Sequence, residues 1–307
     1  MTLAIVFPGQ GSQSVGMMNG FTEPAIDATF AEAKAITGID YASMAKEGPA
    51  DLQNQTVNTQ PLMLVAGVAT WRAWRAKGGS MPAYFAGHSL GEYSALVAAG
   101  ALRFEDALPM VRLRAQAMQE AVPEGTGGIA AIVGLDDAKL PGVLAASAQG
   151  QVVEAANLNS PGQVVIAGHR PAVERAMAEA KAQGAKLVKM LPMSAPSHCS
   201  LMKPAADRLA ERLAAIEVRK PAVPVVHNRF VEAFDDPARI RQALIEQLDH
   251  PVRWIETVQF LAGHGVTRIV ECAPGKVLTG LTKRIAASVE GAAILDSAAL
   301  AAALQQG

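Results

Sequence analysis

Ser89 stands at the centre of a G-x-S-x-G pentapeptide, residues 87–91, and its hydroxyl is a candidate nucleophile. The apolar run Tyr84-Phe85-Ala86 before it predicts a buried strand, and the run after it predicts a helix that ends at Gly100. This order is typical of a nucleophile elbow, whose glycines permit a sharp turn. The free N–H groups at the start of such a helix suit an oxyanion. The alternative interpretation is a glycine-rich turn with an incidental serine.

A serine hydroxyl attacks only when a base takes its proton, and histidine is the usual base. His198 is the best placed candidate, because it lies where a predicted insert rejoins the main sheet and pockets form at such boundaries. His88 adjoins the serine, but elbow geometry would aim its ring elsewhere. Position alone does not decide among the six histidines, which are His88, His169, His198, His227, His250 and His264.

Arg114 falls on an apolar helix face. The predicted helix runs from about Phe104 to Ala121, and Val111, Ala115 and Met118 share its inward face with the arginine. A guanidinium in this position is costly unless it is paired. The partner is either a carboxylate of the protein or one carried by a ligand, and the residues alone favour the internal ion pair.

Gln10 follows the first predicted strand, Leu3–Phe7, in a glycine-containing loop. A Gly-x-Gly after a first strand raises the possibility of a dinucleotide site, but Ser14 takes the place of the third glycine and Pro8 sits in the turn. Open α/β sheets bind ligands at the carboxyl ends of their strands. Gln10 would then face a pocket, or else be a solvated loop residue.

The composition limits the class of protein. The 307 residues carry a net charge of -1, which argues against nucleic acid or a membrane surface as the main partner. Two cysteines make no disulfide framework, no apolar run approaches a membrane span, and the N-terminus lacks a signal-peptide layout. We expect a cytoplasmic protein and predict no metal site.

Strands that alternate with helices predict an α/β fold with a mainly parallel sheet covered on both faces. Helices are expected at 24–37, with Ala28, Ala31 and Ala35 on one face, and from Thr59-Gln60-Pro61 to Ala76. Between Ile129 and Leu191 the order becomes β-α-β-β-α-β, the ferredoxin-like unit. The predicted domains are therefore a large α/β domain, residues 1–124 and 194–307, and a ferredoxin-like subdomain, residues 125–193.

Five segments together resemble the malonyl-CoA:acyl carrier protein transacylases, in that family's order and across the whole chain. These segments are Phe7–Gln13, Gly87–Ala95, Asn159–Gly168, Pro196–Cys199 and Pro274–Leu278. The chain departs from the family at Ala273, where glycine is frequent, and at His227, where asparagine is common.

The resemblance implies a hydrolase-like fold with a ferredoxin-like insert, and it implies roles for six residues. These are Ser89 as nucleophile, His198 as general base, Gln10 and the Leu90 N–H as oxyanion hole, Arg114 as binder of the malonyl carboxylate, and Gln247 as support for His198. Gln247 would stand in place of the acid of a full triad.

The implied reaction is malonyl transfer from malonyl-CoA to the phosphopantetheine thiol of holo acyl carrier protein, for fatty acid biosynthesis. Coenzyme A enters as part of the substrate, no other cofactor is expected, and we expect a monomer. Because the carrier is acidic in this family, this nearly neutral chain would need a local basic patch to attract it. The candidates are Lys186, Lys189, Lys276, Lys283 and Arg284, which are equally compatible with an ordinary solvated surface.

Three alternatives stay open. A polyketide or malonate pathway could use the same transfer. A serine esterase or thioesterase usually places its histidine late and carries an HGG-type oxyanion loop, neither of which is seen here. A non-catalytic docking subunit of a synthase would form no acyl-serine.

Overall fold

A computed structural model describes residues 1–192 and 195–305, and within them the chain forms two sheets. The strands are β1 (Leu3–Phe7), β2 (Tyr84–Gly87), β3 (Gly127–Val133), β4 (Val153–Ser160), β5 (Gln163–His169), β6 (Leu187–Met190), β7 (Val225–Val226), β8 (Arg268–Glu271) and β9 (Glu290–Ala293). The helices are α1 (Pro24–Thr37), α2 (Tyr41–Glu47), α3 (Ala50–Gln53), α4 (Thr56–Ala76), α5 (Gly91–Ala98), α6 (Phe104–Glu120), α7 (Leu140–Ala148), α8 (Arg170–Ala182), α9 (Lys203–Ala214), α10 (Pro237–Glu246), α11 (Trp254–Gly263), α12 (Val277–Ile285) and α13 (Ser297–Gln305). Short 3₁₀ turns cover Asp137–Lys139 and Ser200–Met202.

The larger sheet is parallel throughout, in the order β7-β2-β1-β8-β9. Successive residues of β1 point to opposite faces: Ile5 and Phe7 pack with α4 and α6, whereas Ala4 and Val6 pack with α11 and α12. Because both faces are buried, the strand reads as a continuous apolar run. The predicted parallel sheet with helices on both faces is confirmed.

The smaller sheet is antiparallel, in the order β4-β5-β3-β6, with α7 and α8 packed against it. Its chain order, β-α-β-β-α-β, is the ferredoxin-like arrangement predicted from the sequence. Strands β4 and β5 form a hairpin with only Pro161 and Gly162 in its turn. The division into two domains stays a prediction, and its boundary at Met193 and Ser194 lies outside the described residues.

Helix α1 covers the predicted range; its buried face carries Ile26, Phe30 and Ala33, while the face of Ala28, Ala31 and Ala35 is exposed. One helix prediction was wrong in detail. The long helix α4 begins at Thr56, three residues before the predicted start, and Pro61 lies inside it. No helix in the described part of the chain is long and apolar enough to cross a membrane.

Candidate active site

Ser89 lies at the sharp turn between β2 and α5, with a left-handed φ of 52°. A residue other than glycine rarely adopts this backbone conformation unless the surrounding structure imposes it. A Cβ on Gly91 would lie 2.0 Å from the Phe7 main-chain oxygen, and one on Gly87 would lie 1.9 Å from the Gly91 carbonyl carbon. Gly91 therefore lets the turn pack against β1, and Gly87 lets the strand end lie close to the start of α5, which is the elbow geometry predicted from the sequence.

His198 Nε2 lies 2.7 Å from the Ser89 hydroxyl oxygen. The other ring nitrogen, Nδ1, lies 2.8 Å from the main-chain oxygen of Gln247, an atom that can only accept. The Nδ1 atom therefore carries the proton, and Nε2 is left free to accept from the serine. Burial, and then the nearby charge of Arg114, lower the pKa of His198 to about 3. The imidazole is neutral at physiological pH, as a general base must be.

Arg114 lies on α6 with 1% of its surface exposed. Its Nη2 donates to the Ser89 hydroxyl at 3.3 Å and to Gln247 Oε1 at 3.1 Å, and its Nη1 donates to Gln60 Oε1 at 2.5 Å. The guanidinium also lies over the ring of Tyr93. Within residues 1–192 and 195–305 no carboxylate forms an ion pair with it, so the internal pair favoured by the sequence is not found there. Burial lowers the pKa of Arg114.

The side chain of Gln247 forms no hydrogen bond with His198. Its Nε2 donates to the Ser89 main-chain oxygen at 3.1 Å and to Glu92 Oε2 at 2.8 Å, while Oε1 accepts from Arg114. The contact to His198 comes from the Gln247 carbonyl alone. Gln247, predicted to support the histidine, therefore lies beside it, but it binds His198 through its main-chain oxygen.

Four further residues of the site, Asn228, Glu92, Gln60 and Asn159, were not predicted from the sequence. Asn228 Oδ1 accepts from the Ser89 N–H at 2.6 Å, and Glu92 accepts from His227 Nδ1 at 2.7 Å. Gln60 contacts Arg114, as described above. Asn159 lies in the segment Asn159–Gly168, one of the five that resemble the family, but the resemblance implies no role for it. The other three residues lie in a predicted helix or shortly after a predicted strand. No local sequence pattern indicates a role for their side chains.

The site opens into a cavity of about 170 Å³ between the two sheets. Gln10 lines it together with Ser89 and His198, and Gln10 Nε2 lies 3.4 Å from the Thr56 hydroxyl. The Leu90 N–H, at the start of α5, donates to no protein acceptor in the described part of the chain. Both predicted oxyanion donors are thus at the elbow or in the cavity beside it.

The smaller sheet supplies the opposite wall of this cavity. Asn157, Asn159 and Gln163 contribute polar groups to that wall. Asn159 Oδ1 lies 2.8 Å from His88 Nε2, so the histidine next to the nucleophile points toward the hairpin and away from Ser89. Burial lowers the pKa of His88. Among the described residues, no group of three or more His, Cys, Asp or Glu side chains could hold a metal ion.

Comparison with known proteins gives one consistent result. Residues 4–306 match the family model described as "Acyl transferase domain". A Salmonella typhimurium protein named malonyl CoA-acyl carrier protein transacylase is 56% identical over 305 residues, 99% of each chain. The crystal structure of an acyl-carrier-protein S-malonyltransferase from Burkholderia pseudomallei is 54% identical, with a TM-score of 0.98 over 99% of this chain and 100% of that one. A malonyl-transacylase in complex with its type II PKS acyl-carrier protein is 50% identical, with a TM-score of 0.98 over 100% of both chains.

Proposed function

The chain belongs to the malonyl-CoA:acyl carrier protein transacylases of the acyl transferase family, and on that premise we propose how its site performs the transfer. The enzyme moves a malonyl group from malonyl-CoA to acyl carrier protein. In the proposed mechanism the malonyl group is bound to Ser89 as an ester between the two half-reactions.

A single observation carries this assignment. The Ser89 hydroxyl oxygen lies 2.7 Å from His198 Nε2 and 3.3 Å from Arg114 Nη2. One hydroxyl thus has a neutral base on one side and a buried cation on the other. A thioester that also carries a free carboxylate suits this pair of neighbours, because the carboxylate would give Arg114 the anion that the described protein does not supply.

In the first half-reaction His198 Nε2 takes the Ser89 proton as the hydroxyl oxygen bonds to the thioester carbon. The negative charge that develops on the thioester oxygen is received by Gln10 and the Leu90 N–H, a contribution of about 3 kcal/mol for each donor. The C–S bond then breaks, and the departing coenzyme A sulfur takes the proton from His198. The product is a malonyl ester of Ser89.

In the second half-reaction the carrier's phosphopantetheine thiol gives its proton to His198 and attacks the ester. The C–O bond breaks, and Ser89 recovers a proton from the imidazole. Throughout, Arg114 holds the malonyl carboxylate by charge-assisted hydrogen bonds, which a planar guanidinium can form in pairs. An acetyl group would leave the guanidinium buried and unpaired, and a site of this kind rejects such analogues strongly.

The acceptor is expected to approach along α12. Val277, Leu278 and Leu281 of this helix line the cavity, and Lys276 and Lys283 are exposed near its two ends. Exposed lysines beside the entrance suit an acidic carrier, because opposite charges guide association. Arg284 lies next to them and also binds Gln163 of the small sheet, with Nη1 to Oε1 at 2.5 Å.

The proposal extends to the setting of the enzyme. We expect a cytoplasmic monomer that needs no metal or further cofactor and that supplies fatty acid biosynthesis. A polyketide pathway is the second candidate, since one relative of 50% identity was solved with a type II PKS acyl-carrier protein. Transfer rates to purified carrier proteins of both kinds would separate the two pathways.

Intact-protein mass spectrometry tests the transfer mechanism. After exposure to malonyl-CoA the enzyme should carry one malonyl group, which peptide mapping should place on Ser89, and Ser89→Ala should carry none. Addition of holo acyl carrier protein should remove the group and load the carrier. Steady release of malonate without a carrier would instead favour a thioesterase, and no acyl-enzyme at all would favour a docking subunit.

A further inference from the structure

Glu92 is a completely buried carboxylate at the start of α5, three residues after the nucleophile. It accepts hydrogen bonds from His227 Nδ1 at 2.7 Å, the Asn228 N–H at 3.0 Å and Gln247 Nε2 at 2.8 Å. No lysine or arginine in the described part of the chain forms an ion pair with it. A buried carboxylate is costly unless such donors satisfy it. Glu92 takes no direct part in the proposed reaction steps.

The carboxylate helps to decide which way the Gln247 amide faces. The Glu92 carboxylate and the Ser89 main-chain oxygen only accept hydrogen bonds, so Gln247 turns its Nε2 toward both, with the shorter bond to Glu92. Its Oε1 then points at Arg114 and accepts from Nη2 at 3.1 Å. The reversed amide would set an NH₂ group against the guanidinium, two donors facing each other, and would push Arg114 out of place.

Glu92 also holds the second amide that fixes the elbow. The Asn228 N–H is bound by Glu92, while the Asn228 side chain accepts from the Ser89 N–H and donates to the Gly87 oxygen, both at 2.6 Å. The Ser89 carbonyl is held in turn by Gln247 Nε2 at 3.1 Å. Both main-chain polar groups of the strained serine are therefore bound by side chains of residues that Glu92 holds, Asn228 by its N–H and Gln247 by its Nε2.

We propose that Glu92 is a positioning residue for substrate selection, acting through the Gln247 amide to keep Arg114 turned toward the Ser89 hydroxyl. The proposal rests on the proposed function, because it concerns how the guanidinium receives a malonyl carboxylate. It assigns Glu92 no contact with substrate. Selectivity for a free carboxylate would then depend on a residue that the substrate never touches.

Two variants separate orientation from charge. Glu92→Met keeps the length of the side chain and removes the acceptors. Glu92→Gln can still accept from Gln247 and the Asn228 N–H while its NH₂ faces His227, because the buried His227 Nε2 has no partner among the described residues and can take the proton from Nδ1. Glu23→Met is the control, since Glu23 is also a buried carboxylate, bound by Ser297 on α13.

The readout is kcat and KM for malonyl-CoA and acetyl-CoA, measured beside thermal unfolding. We expect Glu92→Met to lower the malonyl-to-acetyl ratio of kcat/KM by about tenfold or more, mainly through the KM for malonyl-CoA, since hydrogen bonds to charged groups carry that much. Glu92→Gln should restore the ratio to within about threefold of the wild type. Glu23→Met should lower the melting temperature and leave the ratio unchanged.

An unchanged ratio in Glu92→Met, with only a lower melting temperature, would overturn the proposal. If that variant does not fold, Glu92→Asp keeps the charge and withdraws the carboxylate from Gln247. Its ratio should fall as well, and an unchanged ratio there would be equally decisive against the proposal. Failure of the wild type to transfer malonyl would instead remove the proposed function, so the two failures are distinguishable.

Discussion

His198 Nδ1 donates to the main-chain oxygen of Gln247 across 2.8 Å, so the orienting partner of the histidine is a neutral carbonyl. A carboxylate in this position would raise the pKa of the imidazole and stabilise the imidazolium. The carbonyl fixes the tautomer without adding a negative charge next to a site that must receive an anionic substrate. Different atoms of Gln247 therefore orient the base and hold Arg114, the residue proposed to bind the malonyl carboxylate.

Gln247→Ala should therefore leave the base in place and weaken substrate binding. The carbonyl to His198 remains, whereas Arg114 loses one acceptor and Glu92 loses one donor. The Ser89 main-chain oxygen also loses a donor but keeps the Glu92 N–H at 3.0 Å. We expect the rate of Ser89 acylation by saturating acetyl-CoA to stay within about threefold, and the KM for malonyl-CoA to rise about tenfold or more. Single-turnover acylation with both thioesters measures the two effects. A loss of acylation equal to that of His198→Ala would show that the side chain supports the base after all.

The low pKa of His198 predicts an unusual pH profile. The profile of kcat/KM reports groups of the free enzyme, and a base with a pKa of about 3 stays neutral as the pH falls from 7 to 5. A histidine of ordinary pKa, about 6.5, would lose roughly thirtyfold in activity at pH 5. We therefore expect a nearly flat profile for malonyl-CoA between pH 5 and 7. A half-maximal point near pH 6.5 would contradict this prediction.

The same shift affects stability, with a definite sign. Below pH 6.5 the unfolded chain binds a proton at His198, but the folded chain does not until about pH 3. The free energy of unfolding should therefore fall as the pH is lowered through this window. Urea unfolding of the wild type and of His198→Gln at pH 7 and pH 5 measures it. The wild type should lose more stability than the variant, and equal losses would refute the shifted pKa.

Arg114→Ala should change which acyl group the enzyme accepts. We expect kcat/KM for malonyl-CoA to fall about 100-fold or more, because the substrate carboxylate would be buried without its cation. Transfer of acetyl should fall much less, so its relative rate rises. Arg114→Lys is the matched control: it keeps the charge, loses the paired donors, and should lie between the two. An unchanged malonyl-to-acetyl ratio in Arg114→Ala would refute the carboxylate assignment.

Much of this fold could be predicted because its signals are local. Glycines at 87 and 91 mark a close approach, and the β-α-β-β-α-β order of the smaller sheet follows from consecutive periodic runs. The inward face of α1 could not be predicted from its alanines, because alanine is tolerated on both faces of a helix. The contacts of Glu92 to His227 and of Gln247 to Ser89 join residues 135 and 158 positions apart. Only the packed structure brings such side chains together.

Carrier recognition gives the last prediction. Lys276→Glu and Lys283→Glu should raise the KM for acyl carrier protein and leave Ser89 acylation by malonyl-CoA unchanged. Both lysines are exposed: Lys276 directly precedes α12, Lys283 lies on it, and α12 lines the cavity through Val277, Leu278 and Leu281. Lys77→Glu is the control. Lys77 follows α4, whose first residue Thr56 lies at the cavity end beside Gln10, and a helix of 21 residues places it about 30 Å away.

The salt dependence separates a docking effect from a general loss of activity. Attraction between exposed charges is screened over about 10 Å at 0.1 M salt, so the variants and the wild type should converge as the ionic strength rises. Stopped-flow transfer from malonyl-enzyme to carrier, at low and high salt, measures this directly. Equal carrier KM values in Lys283→Glu and Lys77→Glu at low salt would remove α12 from the docking surface. They would leave the assignment of Ser89, His198 and Arg114 unaffected, because acylation by malonyl-CoA does not involve the carrier.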